Sequence, residues 1–142
     1  MAIDGGLGSI FQKHLPEGHW QRIETSLTGR GVPDLNYCLE GVEGWLENKQ
    51  TSGWTLDIKP EQVAWAERRR RAGGRIFVAV RRKVEAGPRR GAAVDDLYLF
   101  PGDDLRMLFD QGLRRVQPLL LHRGGPALWD WRRIRHVLTG LA

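Results

Sequence analysis

Between residues 34 and 50 the chain alternates strictly, and this alternation limits its possible fold more than any other stretch. Leu35, Tyr37 and Leu39 fall on one face, and Asp34, Asn36 and Cys38 on the other, the two-residue period of a strand. A Glu40-Gly41 turn follows. Beyond it, Val42, Gly44 and Leu46 share one face, while Glu43, Trp45, Glu47 and Lys49 share the opposite one. The pattern predicts a β-hairpin with one apolar face and one solvent-facing polar face. Gly29, Gly31 and Pro33 break the chain just before it.

The remaining segments fit around that hairpin. A short helix is expected over 7–14 and a strand over 20–26. Pro60 suits the first turn of a helix over 60–72 that Gly73-Gly74 stops. The wholly apolar run 76–80 reads as an inner strand covered on both sides, and 94–100 as another strand. A helix over 103–113 and a short extended piece over 118–121 come next. Leu128, Trp131, Ile134 or Arg135, Leu138 and Leu141 then stand at helical spacing within 126–141. The stretch 85–93, with Gly87, Pro88 and Gly91, reads as an exposed loop. Together these give an α/β fold, a central mixed β-sheet flanked by α-helices. At 142 residues the chain suits a single domain, 1–142, with 101–142 a C-terminal extension packed on the core.

The chemistry concentrates in Asp34, Glu47 and Lys49. Glu47 and Lys49 project from the same strand face, and Asp34 lies on the neighbouring strand of the hairpin, so two carboxylates and an amine converge. Phosphodiester hydrolysis needs a hard cation on the phosphoryl oxygen, an activated water and compensation of developing charge. Asp34 and Glu47 supply oxygen ligands for Mg²⁺ or Mn²⁺, and the backbone carbonyl of Asn48 a further one. Lys49 is placed to orient the attacking water and offset charge. A bare Glu-x-Lys is common on charged strand faces; its coupling to Gly31-Val32-Pro33-Asp34 across a hairpin is what makes it specific.

These residues resemble a known family. Gly31-Val32-Pro33-Asp34-Leu35, the strand Gly44-Trp45-Leu46-Glu47-Asn48-Lys49-Gln50, and Pro60-Glu61-Gln62-Val63 before a Gly-Gly-Arg-Ile-Phe-Val strand look like the virus-type replication-repair nuclease (VRR-NUC) branch of the PD-(D/E)xK superfamily. The likeness covers roughly residues 20–82. It implies a restriction-endonuclease-like core and a metal-dependent, structure-specific DNA endonuclease similar to Holliday-junction resolvases. It also implies a homodimer acting on branched or four-way DNA in the cytoplasm of a bacterial cell or phage-infected host. By the same resemblance Asp34 and Glu47 become metal ligands, Lys49 the catalytic lysine, and Gln62 a glutamine beside the site. Glu24 is the candidate for the upstream acidic residue. Asn48 stands where an apolar residue is frequent in that family. A nicking or restriction-like nuclease of the same fold is one alternative, and a noncatalytic DNA-binding module another.

Charge agrees with a nucleic-acid partner: 22 Lys and Arg against 17 Asp and Glu give a net charge of +5. The DNA-binding candidates are Arg30, the run Arg68, Arg69, Arg70 and Arg71, and Arg81 with Arg82. The run serves equally as a solvated helix end whose cations meet the dipole. Of the six tryptophans, Trp131 is expected in the core, while Trp45 and Trp54 are the candidates for stacking on bases. The four histidines are too scattered for a metal cluster. Cys38, the single cysteine, excludes an internal disulfide. No apolar run approaches the ~20 residues of a membrane span, and the start of the chain lacks a leader pattern, so a cytosolic protein is expected.

Overall fold

In the computed structural model, which describes residues 4–23, 30–89 and 91–140, the hairpin forms as its pattern requires. Strands β2 (Leu35–Leu39) and β3 (Val42–Thr51) pair antiparallel, with Leu35 opposite Leu46 and Leu39 opposite Val42. Glu40 (φ 52°) and Gly41 (φ 77°) both take the left-handed backbone of a two-residue hairpin turn. Gly44 faces Tyr37, whose ring occupies the space that a Cβ at residue 44 would need. The Tyr37 hydroxyl in turn donates to the Leu138 carbonyl (2.7 Å), tying the hairpin to the C-terminal helix.

Six strands follow one another across the sheet in chain order. Strand β1 (His19–Arg22) flanks β2 on the outer edge, and β4 (Ile76–Val84), β5 (Val94–Pro101) and β6 (Leu120–His122) continue beyond β3. Only β3 and β4 are parallel, so a crossover must join them, and helix α2 (Pro60–Arg71) provides it. Gly73 (φ 91°) and Gly74 then end the helix, the Gly74 N–H closing on the Arg69 carbonyl at 2.8 Å.

The sheet is covered on both faces. Helix α1 (Leu7–His14) and the last helix, α4 (Trp131–Thr139), lay Leu7, Phe11, Ile134 and Leu138 against Leu35, Tyr37, Leu46 and Leu99. On the other face α2 and α3 (Leu105–Gln111) lay Val63, Ala66, Leu105 and Leu108 against Ile76, Val78, Val80 and Phe100. The molecule is therefore α/β, a six-stranded mixed sheet between helical layers. No helix among the described residues is long and apolar enough to cross a membrane.

Several boundaries differ from the sequence pattern for local reasons. The helix expected over 103–113 is shorter, because Gly112 (φ 83°) ends it and 3₁₀ turns flank it on both sides. The last helix starts at Trp131, not near 126, because Asp130 accepts the Arg133 N–H at 3.1 Å and sets its first turn. Leu128 is consequently 75% exposed, and Trp129 takes the inward place at 3%. Strand β1 runs over His19–Arg22, and residues 24–26 of the expected strand lie outside the described residues, as do Leu141 and Arg90. The segment from residue 101 onward does more than pack on the core: β6 extends the sheet, and Trp129, Ile134 and Leu138 complete one of its two cores.

Candidate active site

Asp34 immediately precedes β2, and because Leu35 pairs with Leu46, the next position along places Asp34 opposite Glu47. Its Oδ2 accepts the Asn48 backbone N–H at 2.9 Å, which fixes the carboxylate against β3. The approach to Asp34 depends on Gly31. This residue adopts φ 83°, and a Cβ on it would overlap the Glu61 carbonyl in the first turn of α2. A glycine there lets the loop carrying Pro33 and Asp34 lie directly on the helix that roofs the site.

The pattern predicts a solvent-facing polar face, and here the structure corrects it. Helix α2, required by the parallel crossover, lies over that face, so Glu47 is only 2% exposed and the Lys49 side chain 12%. Glu47 and Lys49 lie between sheet and helix. Lys49 Nζ donates to the Asp57 carbonyl (2.6 Å) and to Gln62 Oε1 (3.0 Å), and stands 3.5 Å from Glu47 Oε2. Gln62 Oε1 also accepts the Lys59 N–H at 2.9 Å, and with its oxygen held by two donors, its Nε2 turns towards Glu47 Oε2 at 3.3 Å. Asp34, Glu47, Lys49 and Gln62 thus form one connected cluster. Asp57 joins it through its carbonyl, a backbone role that leaves no trace in the sequence.

The electrostatics are unusual for a carboxylate. Burial, and then the neighbouring Asp34 carboxylate, push Glu47 up to about 9, and Lys49 offsets only part of this. Two carboxylates within hydrogen-bonding reach, one of them shut away from water, need a proton or a cation between them. The donor set fits a hard divalent cation, which takes oxygen ligands and is commonly held by one or two carboxylates with water and substrate completing its shell. Among the described residues, no group of three or more His, Cys, Asp and Glu side chains is placed to hold a metal. The third acidic residue suggested by the sequence, Glu24, lies outside the described residues.

Asn48 contributes through its backbone. Ladder alternation turns the N–H and C=O of residues 42, 44, 46 and 48 towards β2, and those of residue 45 towards β4, where the Trp45 N–H reaches the Arg75 carbonyl. Continuing the register sets Pro33 opposite Asn48, and a proline has no N–H to give the Asn48 carbonyl. That oxygen therefore lies on the same edge as Asp34, with no ladder donor from its opposite residue. The Asn48 side chain points to the other face, where it is buried and both Oδ1 and Nδ2 lack partners.

The arginines divide into distinct groups. Arg30 is exposed in the turn leading to Asp34. The run Arg68, Arg69, Arg70 and Arg71 stands at the far end of α2, about 9 to 13 Å along the helix from Gln62 at 1.5 Å per residue. Within it, Arg69 lies over the Trp45 and Trp65 rings, and Arg70 pairs with Asp103 at 3.3 Å. Arg81 turns to the opposite face of the sheet. There it holds Asp95 through two bonds of 2.8 and 2.7 Å and the Gly5 carbonyl at 2.7 Å, which leaves little of its guanidinium for phosphate. Arg82 shares the face of Lys49, one row further along the sheet. Comparison with protein-family models, curated proteins and solved structures gives no match for the chain.

Proposed function

We propose that the protein is a metal-dependent DNA endonuclease of the PD-(D/E)xK type, with a restriction-endonuclease-like core of the VRR-NUC branch. One observation carries this reading: Asp34, Glu47, Lys49 and Gln62 meet in a single connected cluster at the start of α2, beside the Asn48 backbone. The motif resemblance supports it independently, since it rests on residue order and spacing.

In this reading Asp34, Glu47 and the Asn48 carbonyl would hold Mg²⁺ or Mn²⁺. The bound cation supplies Lewis-acid polarisation of the phosphoryl oxygen. Lys49, fixed by the Asp57 carbonyl and Gln62, keeps its ammonium beside Glu47, where it aligns the attacking water and offsets charge building on the phosphoryl group. Gln62 holds Glu47 and Lys49 in register. The roof formed by α2 limits water around these groups, which strengthens each electrostatic contact.

Branched DNA as substrate, and a homodimer that presents two such sites to two strands, follow from the resemblance. The test is a panel of four-way junctions, flaps, duplex and single strands incubated with Mg²⁺, for the wild type and Asp34→Ala. Paired symmetric incisions confined to junctions support a resolvase-like enzyme. Nicks spread over plain duplex support the restriction-like alternative, and absence of cleavage on every substrate overturns the catalytic reading.

A further inference from the structure

The face that carries Glu47 and Lys49 continues past the site into a second group of cations. Lys49 pairs with Val80, and two residues on, Thr51 pairs with Arg82, which pairs in turn with Asp96. With strands ~4.8 Å apart and ~3.3 Å per residue, the Arg82 backbone lies about 8 Å from that of Lys49. The loop between β3 and α2 brings Trp54 over this row. Arg82 Cζ lies 3.9 Å from the Trp54 ring centroid, and Arg114 Cζ, from the turn after α3, lies 4.4 Å from it. Both guanidiniums thus lie over the same ring. Trp54 also packs against the core on this side of the sheet, so its ring is engaged within the protein.

The assembly is anchored. Arg82 Nε donates to the Gly53 carbonyl at 2.9 Å, and the Leu113 N–H donates to the Trp54 carbonyl at 2.8 Å, so the turn carrying Arg114 is tied to the loop carrying Trp54. Among the described residues neither Arg82 nor Arg114 forms an ion pair. Asp96 and the exposed Arg123 also bear on this end of the sheet, where Asp96 feels Arg123 and Arg82 as well as the neighbouring Asp95, itself held by Arg81 on the opposite face. Holding two guanidiniums together costs repulsion, which the aromatic ring offsets. The planar forks keep their edges for phosphate oxygens.

We infer that Arg82 and Arg114, stacked on Trp54, form a backbone clamp that grips phosphates of a DNA strand next to the site of Asp34, Glu47 and Lys49. The inference rests on the proposed function for the identity of the strand. It also assigns Trp54 a role different from base stacking: the ring orders two cations, and the clamp reads phosphates without regard to sequence or to base pairing.

The test measures binding alone. Fluorescence anisotropy in EDTA, where metal-dependent cleavage is silent, follows a labelled duplex and a labelled single strand of equal length across a salt series. The proteins are the wild type, Arg114→Gln, Arg82→Gln and, as a control, Arg132→Gln, an exposed arginine on α4. Thermal melts establish that each is folded. The clamp predicts that the slope of log affinity against log salt falls by about 0.9 on duplex and about 0.7 on single strand for each clamp arginine lost, and stays at the wild-type value in Arg132→Gln. Unchanged slopes in both clamp variants overturn the clamp, as does an equal fall in the control. Loss confined to single strands overturns it in favour of base stacking. Cleavage by the wild type in Mg²⁺ is scored separately, so DNA that is bound through the clamp but never cut would overturn the nuclease reading and leave the clamp standing.

Discussion

Replacing Glu47 with glutamine should make the metal-free protein more stable while abolishing cleavage. Glu47 is 2% exposed and its carboxyl is pushed from 4.5 to about 9, first by burial and then by Asp34. A carboxyl with a raised folded value contributes most to stability below its unfolded value, and that contribution is lost as pH climbs towards the folded one. At pH 7.5 the folded state keeps a proton that the unfolded chain has released. At about 1.4 kcal/mol per pH unit over roughly three units, this costs about 4 kcal/mol. Glutamine is uncharged, nearly the same shape, and can still meet Lys49 and Gln62, so a gain of about 2–4 kcal/mol is expected in Glu47→Gln. For a chain of this size that is roughly 5–15 °C in Tm. At pH 5 the cost is under about 1 kcal/mol and the gain should nearly vanish. Thermal melts of both proteins in EDTA at pH 5.0 and 7.5 measure it. A destabilised variant at pH 7.5, or a gain of equal size at both pH values, refutes the argument.

Gly31→Ala should cost about 2–4 kcal/mol and lower activity further, since the loop must lift from the Glu61 carbonyl and carry Asp34 with it; chemical denaturation and cleavage assays report the two effects. Asn48→Val removes two unpartnered buried polar atoms and should stabilise by about 1–3 kcal/mol with cleavage retained, because only the backbone of residue 48 serves the site. Calorimetric titration of Mg²⁺ into the metal-free protein at pH 7.5 should release protons, seen as a dependence of the heat on buffer ionisation, with affinity rising towards pH 9 as Glu47 loses its proton more easily. Tyr37→Phe should cost about 1–2 kcal/mol in denaturant melts, through the lost bond to the Leu138 carbonyl.

Much of the sheet was legible in the sequence because each signal was local. The alternation of Leu35, Tyr37 and Leu39 with Val42, Gly44 and Leu46 set the hairpin register, Pro60 the start of α2, and the apolar run from Ile76 an inner strand. Opposition of Asp34 and Glu47 followed from that register. What escaped was tertiary. Covering of the polar face by α2 is a consequence of parallel pairing between β3 and β4, which no single segment encodes. The pairing of Trp54 with Arg114 joins residues far apart in the chain, and Asp57 acts through its carbonyl. Arginines that looked equivalent in a row separate once strand alternation sends Arg81 to Asp95 on one face and Arg82 to Trp54 on the other.

In the proposed function, Asp34, Glu47 and Lys49 hydrolyse phosphodiester bonds with a divalent cation. Its most direct test is cleavage of a labelled four-way junction with Mg²⁺, Mn²⁺ or EDTA by wild type, Asp34→Asn, Glu47→Gln and Lys49→Met, each shown to be folded and to bind the junction. Metal-dependent cutting by the wild type is expected, with a loss of at least about 100-fold in each variant and binding kept. Cutting that persists in EDTA, or survives in Glu47→Gln at the wild-type rate, would contradict the proposed function.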